Sequence, residues 1–252
     1  MEISVKHKKN ISDISLNGPE CLNNNKAEDY NKSGINYYDN KDYKNAEIEY
    51  IKAIQLEPNV AVYYFNLGNA YFDQDKDLEA EIAYQKAIQL NPAVAAYYNE
   101  LGYCYLVQEK YADAIIKIAK AIELEPNTAD YYDSLGDVYW YQGKYFEAEL
   151  QYKKAIQLEP NAELFYNSLG NAYYCQGKYG ESEMQYKKAI ELEPNTADYY
   201  NNLGDVYYCQ EKYDKAEAMY KKAIELNPEV AEYYKNLDAA CSEQDKHAES
   251  GI

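Results

Sequence analysis

Asn31, Asn99, Asn167 and Asn201 stand in one register of 34 residues, which Phe65, Asp133 and Lys235 complete. A second register runs Ile35, Asn69, Tyr103, Asp137, Asn171, Asp205 and Ala239, while Asn66, Asn202 and Asn236 follow the first by one residue. A carboxamide offers both donors and an acceptor, so a row of them can clamp an extended peptide backbone whatever its sequence. Aromatic and soft side chains keep the same period: Tyr38, Phe72, Trp140 with Tyr141, Tyr174 with Cys175, and Tyr208 with Cys209. Rings beside Asp133, Asp137 and Asp205 suit a lysine or arginine side chain through charge and cation–π contact. The single tryptophan lies mid-chain, where an anchoring hot spot is useful. Against this stand two plainer roles, polar residues that solvate an exposed face and rings that pack between neighbouring helices.

Catalytic chemistry is poorly supplied. The only histidines, His7 and His247, lie in the terminal tails, and most hydrolytic triads and zinc sites draw on a histidine inside the fold. Neither a nucleophile elbow nor a phosphate loop is present. The five cysteines form no C-x-x-C pair, and no acidic loop has calcium-binding spacing, so no metal, no cofactor and no enzyme activity are expected. All 25 basic residues are lysine against 43 acids, a net charge of -18 that repels nucleic acid and anionic membrane. No window approaches the roughly 20 apolar residues of a membrane span, and the first residues lack a signal-peptide core. These features, with thiols read as free, predict a cytoplasmic protein. The 33 tyrosines exclude a disordered acidic chain.

The elements that position these residues follow from the period. Pro58, Pro92, Pro126, Pro160, Pro194 and Pro228 are 34 residues apart, as are Gly34, Gly68, Gly102, Gly136, Gly170 and Gly204, and Ala53, Ala87, Ala121, Ala155, Ala189 and Ala223. With the residue seven before each glycine as position 1, tyrosine fills positions 4 and 11 of every unit. Leucine fills position 7 except at Ser33, and tyrosine fills position 24 except at Ile118. This pattern resembles the tetratricopeptide repeat family. The predicted units are 27–60, 61–94, 95–128, 129–162, 163–196 and 197–230, preceded by a flexible tail, 1–26, and followed by a capping helix with a frayed end, 231–252.

Positions 4, 7 and 11 make one apolar stripe on a first helix, and 20, 24 and 27 make another on a second helix. Proline at position 32 separates one hairpin from the next. Asn-Thr-Ala-Asp at 127–130 and 195–198 reads as a cap residue followed by a first-turn carboxylate. The fold class is therefore all-α, a right-handed superhelical solenoid of six helical hairpins and a cap.

The resemblance implies a protein-interaction scaffold whose first helices line a concave groove. Carried onto this chain, the candidate partner-binding residues are Phe65, Asn66, Asn69, Asn99, Asp133, Asp137, Trp140, Asn167, Asn171, Tyr174, Asn201, Asn202, Asp205 and Tyr208. The asparagine row is similar to the ladder in the repeats of O-GlcNAc transferase, though split between positions 5 and 6. The carboxylate clamp of heat-shock co-chaperones does not fit: Lys235 is the only lysine at position 5, Ala239 follows it at position 9, and there is no arginine. The expected partner is a neutral-to-basic protein or peptide segment. Exchange of Asn167, Asn171 and Asn201 for alanine is expected to leave folding almost unchanged. A self-associating scaffold, and hence a homo-oligomer, is the second class.

Overall fold

The computed structural model describes residues 26–250, with side chains to Lys246. The proposed tail, 1–26, lies outside the described residues except for Lys26, which is the first helical residue. Among those described there are thirteen α-helices and no strand. Two compact units divide the chain after Pro126. The N-terminal unit holds α1 (Lys26–Asp39), α2 (Tyr43–Leu56), α3 (Ala61–Phe72), α4 (Asp77–Leu90), α5 (Ala95–Val107) and α6 (Tyr111–Leu124). The C-terminal unit holds α7 (Ala129–Tyr141), α8 (Tyr145–Leu158), α9 (Glu163–Cys175), α10 (Tyr179–Leu192), α11 (Ala197–Cys209), α12 (Tyr213–Leu226) and α13 (Ala231–Ser250). Each odd helix pairs with the even helix after it, so every repeat is a helical hairpin of the tetratricopeptide solenoid class.

Close packing within a hairpin depends on the glycine at position 8. A Cβ on Gly68 would lie 2.6 Å from Cε1 of Tyr84, so only a hydrogen at that place lets the buried ring lie flat on α3. The turn between the two helices is a Schellman motif. Asp75 N–H bonds to Phe72 O and Lys76 N–H to Tyr71 O, each at 3.0 Å, with Asp75 in the left-handed region at φ 58°. The same turn position carries Lys41, Glu109, Gly143, Gly177 and Glu211, all with positive φ.

The sequence-based stripe needs one revision. Position 3 adds the most deeply buried aromatic, Tyr63, Tyr97, Tyr131, Phe165, Tyr199 and Tyr233, while the position-4 tyrosines are partly buried and Tyr30, Tyr132 and Tyr200 pack against the same clusters. The position-4 tyrosines also straddle the proline junction, where Tyr64 OH donates to Pro58 O (3.1 Å) and Tyr166 OH to Pro160 O (2.9 Å). Thr196 does occupy an N-cap with extended backbone, but its side chain makes no capping bond. Among helices α2 to α12 a side-chain cap forms only at α2, where Asp42 Oδ1 accepts from Asn45 N–H (3.2 Å).

Adjacent hairpins are also tied at their outer edge. In the C-terminal unit Glu149 of α8 accepts from Lys153 (2.6 Å), Lys178 (3.0 Å) and Gln176 Nε2 (3.0 Å). Burial pushes this carboxyl upward, but those three donors prevail and hold it at about 2. In the N-terminal unit Glu47 takes the same place, accepting from Lys76 (2.7 Å) and Gln74 Nε2 (3.0 Å).

Candidate functional site

Within each unit successive first helices touch one another, whereas successive second helices do not approach as closely. The first helices therefore form the inner face, and the two asparagine registers lie on them.

The structure places most of these asparagines inside the stack. Asn31, Asn66, Asn99, Asn167 and Asn201 are all buried. Their amides bond to one another across hairpins: Asn66 Nδ2 donates to Asn31 Oδ1 (2.9 Å), Asn202 Nδ2 to Asn167 Oδ1 (3.0 Å), and Asn236 Nδ2 to Asn201 Oδ1 (3.0 Å). The split between positions 5 and 6 has a physical reason, since position 5 of one hairpin meets position 6 of the next. These bonds weigh against the expectation that exchange of Asn167 and Asn201 leaves folding almost unchanged, since both are buried and removing Asn167 takes away the acceptor of Asn202 Nδ2, while Asn236 Nδ2 would keep Asp205. Asn99 Nδ2 donates to Glu100 Oε1 (3.1 Å). Asp133 is likewise buried on α7.

The second register has a different task. Asn69, Asp137, Asn171 and Asp205 each accept the hydroxyl of the tyrosine that lies on the position-8 glycine: Tyr84 (2.8 Å), Tyr152 (2.7 Å), Tyr186 (2.6 Å) and Tyr220 (2.8 Å). A signal for this pairing was present in the sequence. The third hairpin exchanges the partners, with Ile118 at position 24 and Tyr103 at position 9, both buried. In the first hairpin Ile35 stands where the acceptor should be, and the buried Tyr50 hydroxyl has no partner.

The aromatic candidates divide. Phe65 is interior, its ring 4.8 Å from that of Tyr97 and 6.0 Å from that of Tyr84. Trp140, Tyr174 and Tyr208 are half-buried on the inner face. Trp140 meets Tyr141 edge-on at 5.0 Å, Tyr208 meets Tyr213 at 5.4 Å, and Tyr174 OH lies 3.4 Å from Cys209 Sγ.

Carboxylates that the register reading passed over complete each face. In the N-terminal unit Asp73, just after α3, accepts from Tyr38 OH of α1. Burial raises Asp73, the Tyr38 bond opposes this, and Glu100 and Asp75 add to the rise. Beside them Phe72 and Tyr103 meet edge-on at 5.9 Å. In the C-terminal unit Asp205 also accepts from Asn236 Nδ2 (3.3 Å). Burial pushes Asp205 up to about 6, against the Tyr220 bond and helped by Glu232 of α13. Lysines pair with second-helix carboxylates, as in Lys76–Glu47 and Lys178–Glu149. Among the described residues none forms an ion pair with Asp73, Glu100, Asp205 or Glu232. Such a face can attract a cation and offer it a ring.

No group of three or more potential ligands is placed to hold a metal ion among the described residues. No described helix is long and apolar enough to cross a membrane.

Models of the tetratricopeptide repeat match residues 29–60, 61–93, 95–128 and 161–229, and a model described as TPR repeat matches 136–177. Among curated protein sequences no relative matches the chain. Solved structures do. The chain is similar to one chain in the crystal structure of the APC/C hetero-tetramer Cut9-Hcn1, with 17% identity and a TM-score of 0.76, covering 86% of this chain and 43% of that one. It is similar to MamA at 30% identity and a TM-score of 0.56, over 64% of this chain and 94% of that one. It is also similar to YrrB, described as a TPR protein with an unusual peptide-binding site. The identity there is 26% and the TM-score 0.55, over 74% of this chain and 96% of that one.

Proposed function

Because the chain belongs to the tetratricopeptide repeat family, whose repeats form protein-interaction scaffolds, we propose that it binds an extended, neutral-to-basic peptide segment on the inner faces of its first helices. One observation carries this reading: the carboxylates Asp73, Glu100, Asp205 and Glu232, on or just after first helices, form no ion pair among the described residues, while aromatic side chains stand on the same faces. A lysine or arginine supplied by a peptide would offset the burial that chiefly raises Asp73 and Asp205 and the neighbouring carboxylates that add to it, and its stem could lie on a ring. The asparagine row contributes indirectly. Amides that bond to one another fix the spacing of the first helices and so of the acids and rings that meet the ligand. Asn69, Asn171 and Asn202, half-buried at the surface, remain available for further bonds to a peptide backbone. The relative YrrB, with its peptide-binding site, is consistent with this use of the scaffold.

The test is fluorescence anisotropy with labelled extended peptides that differ only in lysine, neutral or glutamate content. Asp73→Asn with Glu100→Gln is expected to weaken the lysine peptides roughly tenfold and flatten their salt dependence, leaving neutral peptides nearly unchanged. Binding of lysine peptides that use the C-terminal unit should also weaken as pH falls through about 6, where Asp205 takes up its proton. Equal affinities for wild type and variant, with intact circular dichroism, would remove the inner face as the site.

A further inference from the structure

The outer face of the N-terminal unit carries an apolar row that packs on nothing. Ile48 of α2, Ile82 of α4 and Ile116 of α6 occupy the same position in three hairpins and are 47%, 67% and 61% exposed, with Leu78 at 66% beside them. Isolated exposed apolar residues need no explanation, but a row repeated on three successive second helices is a surface.

Charge says what fits this surface. On α4 Glu79 is exposed and makes no ion pair, and Lys86 bonds only to the neutral Gln89 (2.9 Å). They lie seven residues apart on the same side of the helix, with Ile82 between them. When two such helices are laid antiparallel about a two-fold axis at Ile82, Glu79 of each meets Lys86 of the other. The axis of this operation runs along the row, across the helices, so it sets α2 against α2 and α6 against α6 of the copy. Ile48 then meets Ile48 and Ile116 meets Ile116, and on α6 the exposed Asp113 meets Lys120, which within its own chain pairs with Glu123 (2.7 Å). A face whose acids and bases match under its own two-fold rotation is self-complementary.

We propose that the partner of this face is a second copy of the chain, held by Ile82, Leu78, Ile48 and Ile116 at the centre and by reciprocal Glu79–Lys86 pairs at the sides. This dimer leaves the inner faces open, so it goes beyond the peptide-binding reading and stands without it.

The test is sedimentation equilibrium of the full chain across a concentration series in about 0.15 M salt, where a Debye length of about 8 Å screens the overall charge. The wild type is expected to associate reversibly to a dimer and no further. Ile82→Lys should abolish this, with circular dichroism unchanged because the side chain is exposed. Glu79→Lys should weaken the dimer roughly tenfold even though it lowers the net negative charge, and Lys86→Glu should do likewise. The double variant Glu79→Lys with Lys86→Glu restores the reciprocal pairs and should regain most of the affinity. A wild type that stays monomeric at every concentration overturns the proposal and leaves the row to a different partner. So does an Ile82→Lys variant that still dimerises, or a double variant no better than the singles.

Discussion

The two units follow one 34-residue rule and differ on their inner faces. In the C-terminal unit two amide rungs follow each other, Asn167–Asn202 and Asn201–Asn236. In the N-terminal unit one rung forms, Asn31–Asn66, and the next pair of positions holds Phe65 and Glu100. Replacing an amide by a ring turns a buried polar contact into apolar packing against Tyr84 and Tyr97. It also frees position 6 to carry a carboxylate, and Glu100 then adds to the negative field at Asp73. A repeat protein can thus keep its scaffold and alter the charge of its binding face through a single pair of positions.

This comparison can be broken most sharply by exchanging the two kinds of contact. Phe65→Ala is expected to cost about 3–5 kcal/mol, the usual toll for deleting a buried aromatic. Asn167→Ala should cost less, about 1–3 kcal/mol, because it strands the Asn202 donor but leaves only a small cavity. Denaturant unfolding gives the totals. Amide hydrogen exchange assigns each loss to its unit, since solenoid stability is carried by a hairpin and its neighbours. An Asn167→Ala loss near zero would show that the rungs are not structural, and equal losses would show that a rung holds its hairpins as firmly as the ring that replaces it.

A finer contrast lies between hairpins of the N-terminal unit. Tyr84→Phe removes a 2.8 Å bond to Asn69 and should cost about 0.5–1.5 kcal/mol. Tyr50→Phe removes a buried hydroxyl that has no partner, so its effect should be neutral or stabilising. Melting curves of the two variants under one buffer decide the matter, and a larger loss at Tyr50 would contradict the pairing rule.

How much of this was legible in the sequence depends on which interactions lie within one repeat. The hairpins, their junctions and the glycine–tyrosine contact repeat within 34 residues, so Gly68, Tyr84 and Pro92 announced them. The burial of Asn167 and Asn201 did not show, because their partners, Asn202 and Asn236, come from the next hairpin and sit one place out of register. Position 3 escaped notice for a related reason. Tyr63 and Tyr64 are adjacent tyrosines, and only packing shows that the first enters the core while the second turns to a proline carbonyl. The acidic patches were missed because Asp73 and Glu100 occupy different repeat positions, 13 and 6, and meet only in the fold.

The smallest expected effect concerns the hairpin turns, where the units differ again. Both turns with glycine at the left-handed position, Gly143 and Gly177, belong to the C-terminal unit, at φ 74° and 71°. All three turns of the N-terminal unit place a side chain there: Lys41, Asp75 and Glu109, at φ 61°, 58° and 59°. A residue with a Cβ in this region costs roughly 1–2 kcal/mol, and glycine avoids that cost while losing roughly 0.5–1 kcal/mol through its freer unfolded chain. The balance favours glycine by a few tenths to about 1 kcal/mol. Glu109→Gly should therefore raise the stability of the N-terminal unit slightly. Asp75→Gly should raise it less, since aspartate tolerates the left-handed region better than glutamate does. Gly177→Ala should lower the stability of the C-terminal unit by a similar amount, and the cause would be purely conformational because a Cβ there would meet nothing within 4 Å. Opposite signs for Glu109→Gly and Gly177→Ala in thermal unfolding would establish that the turns of the N-terminal unit hold strain that the two glycine turns of the C-terminal unit, unlike its third at Glu211 (φ 60°), lack. A loss of stability in Glu109→Gly would instead locate the value of Glu109 in its side chain, and the turn argument would fail at that position.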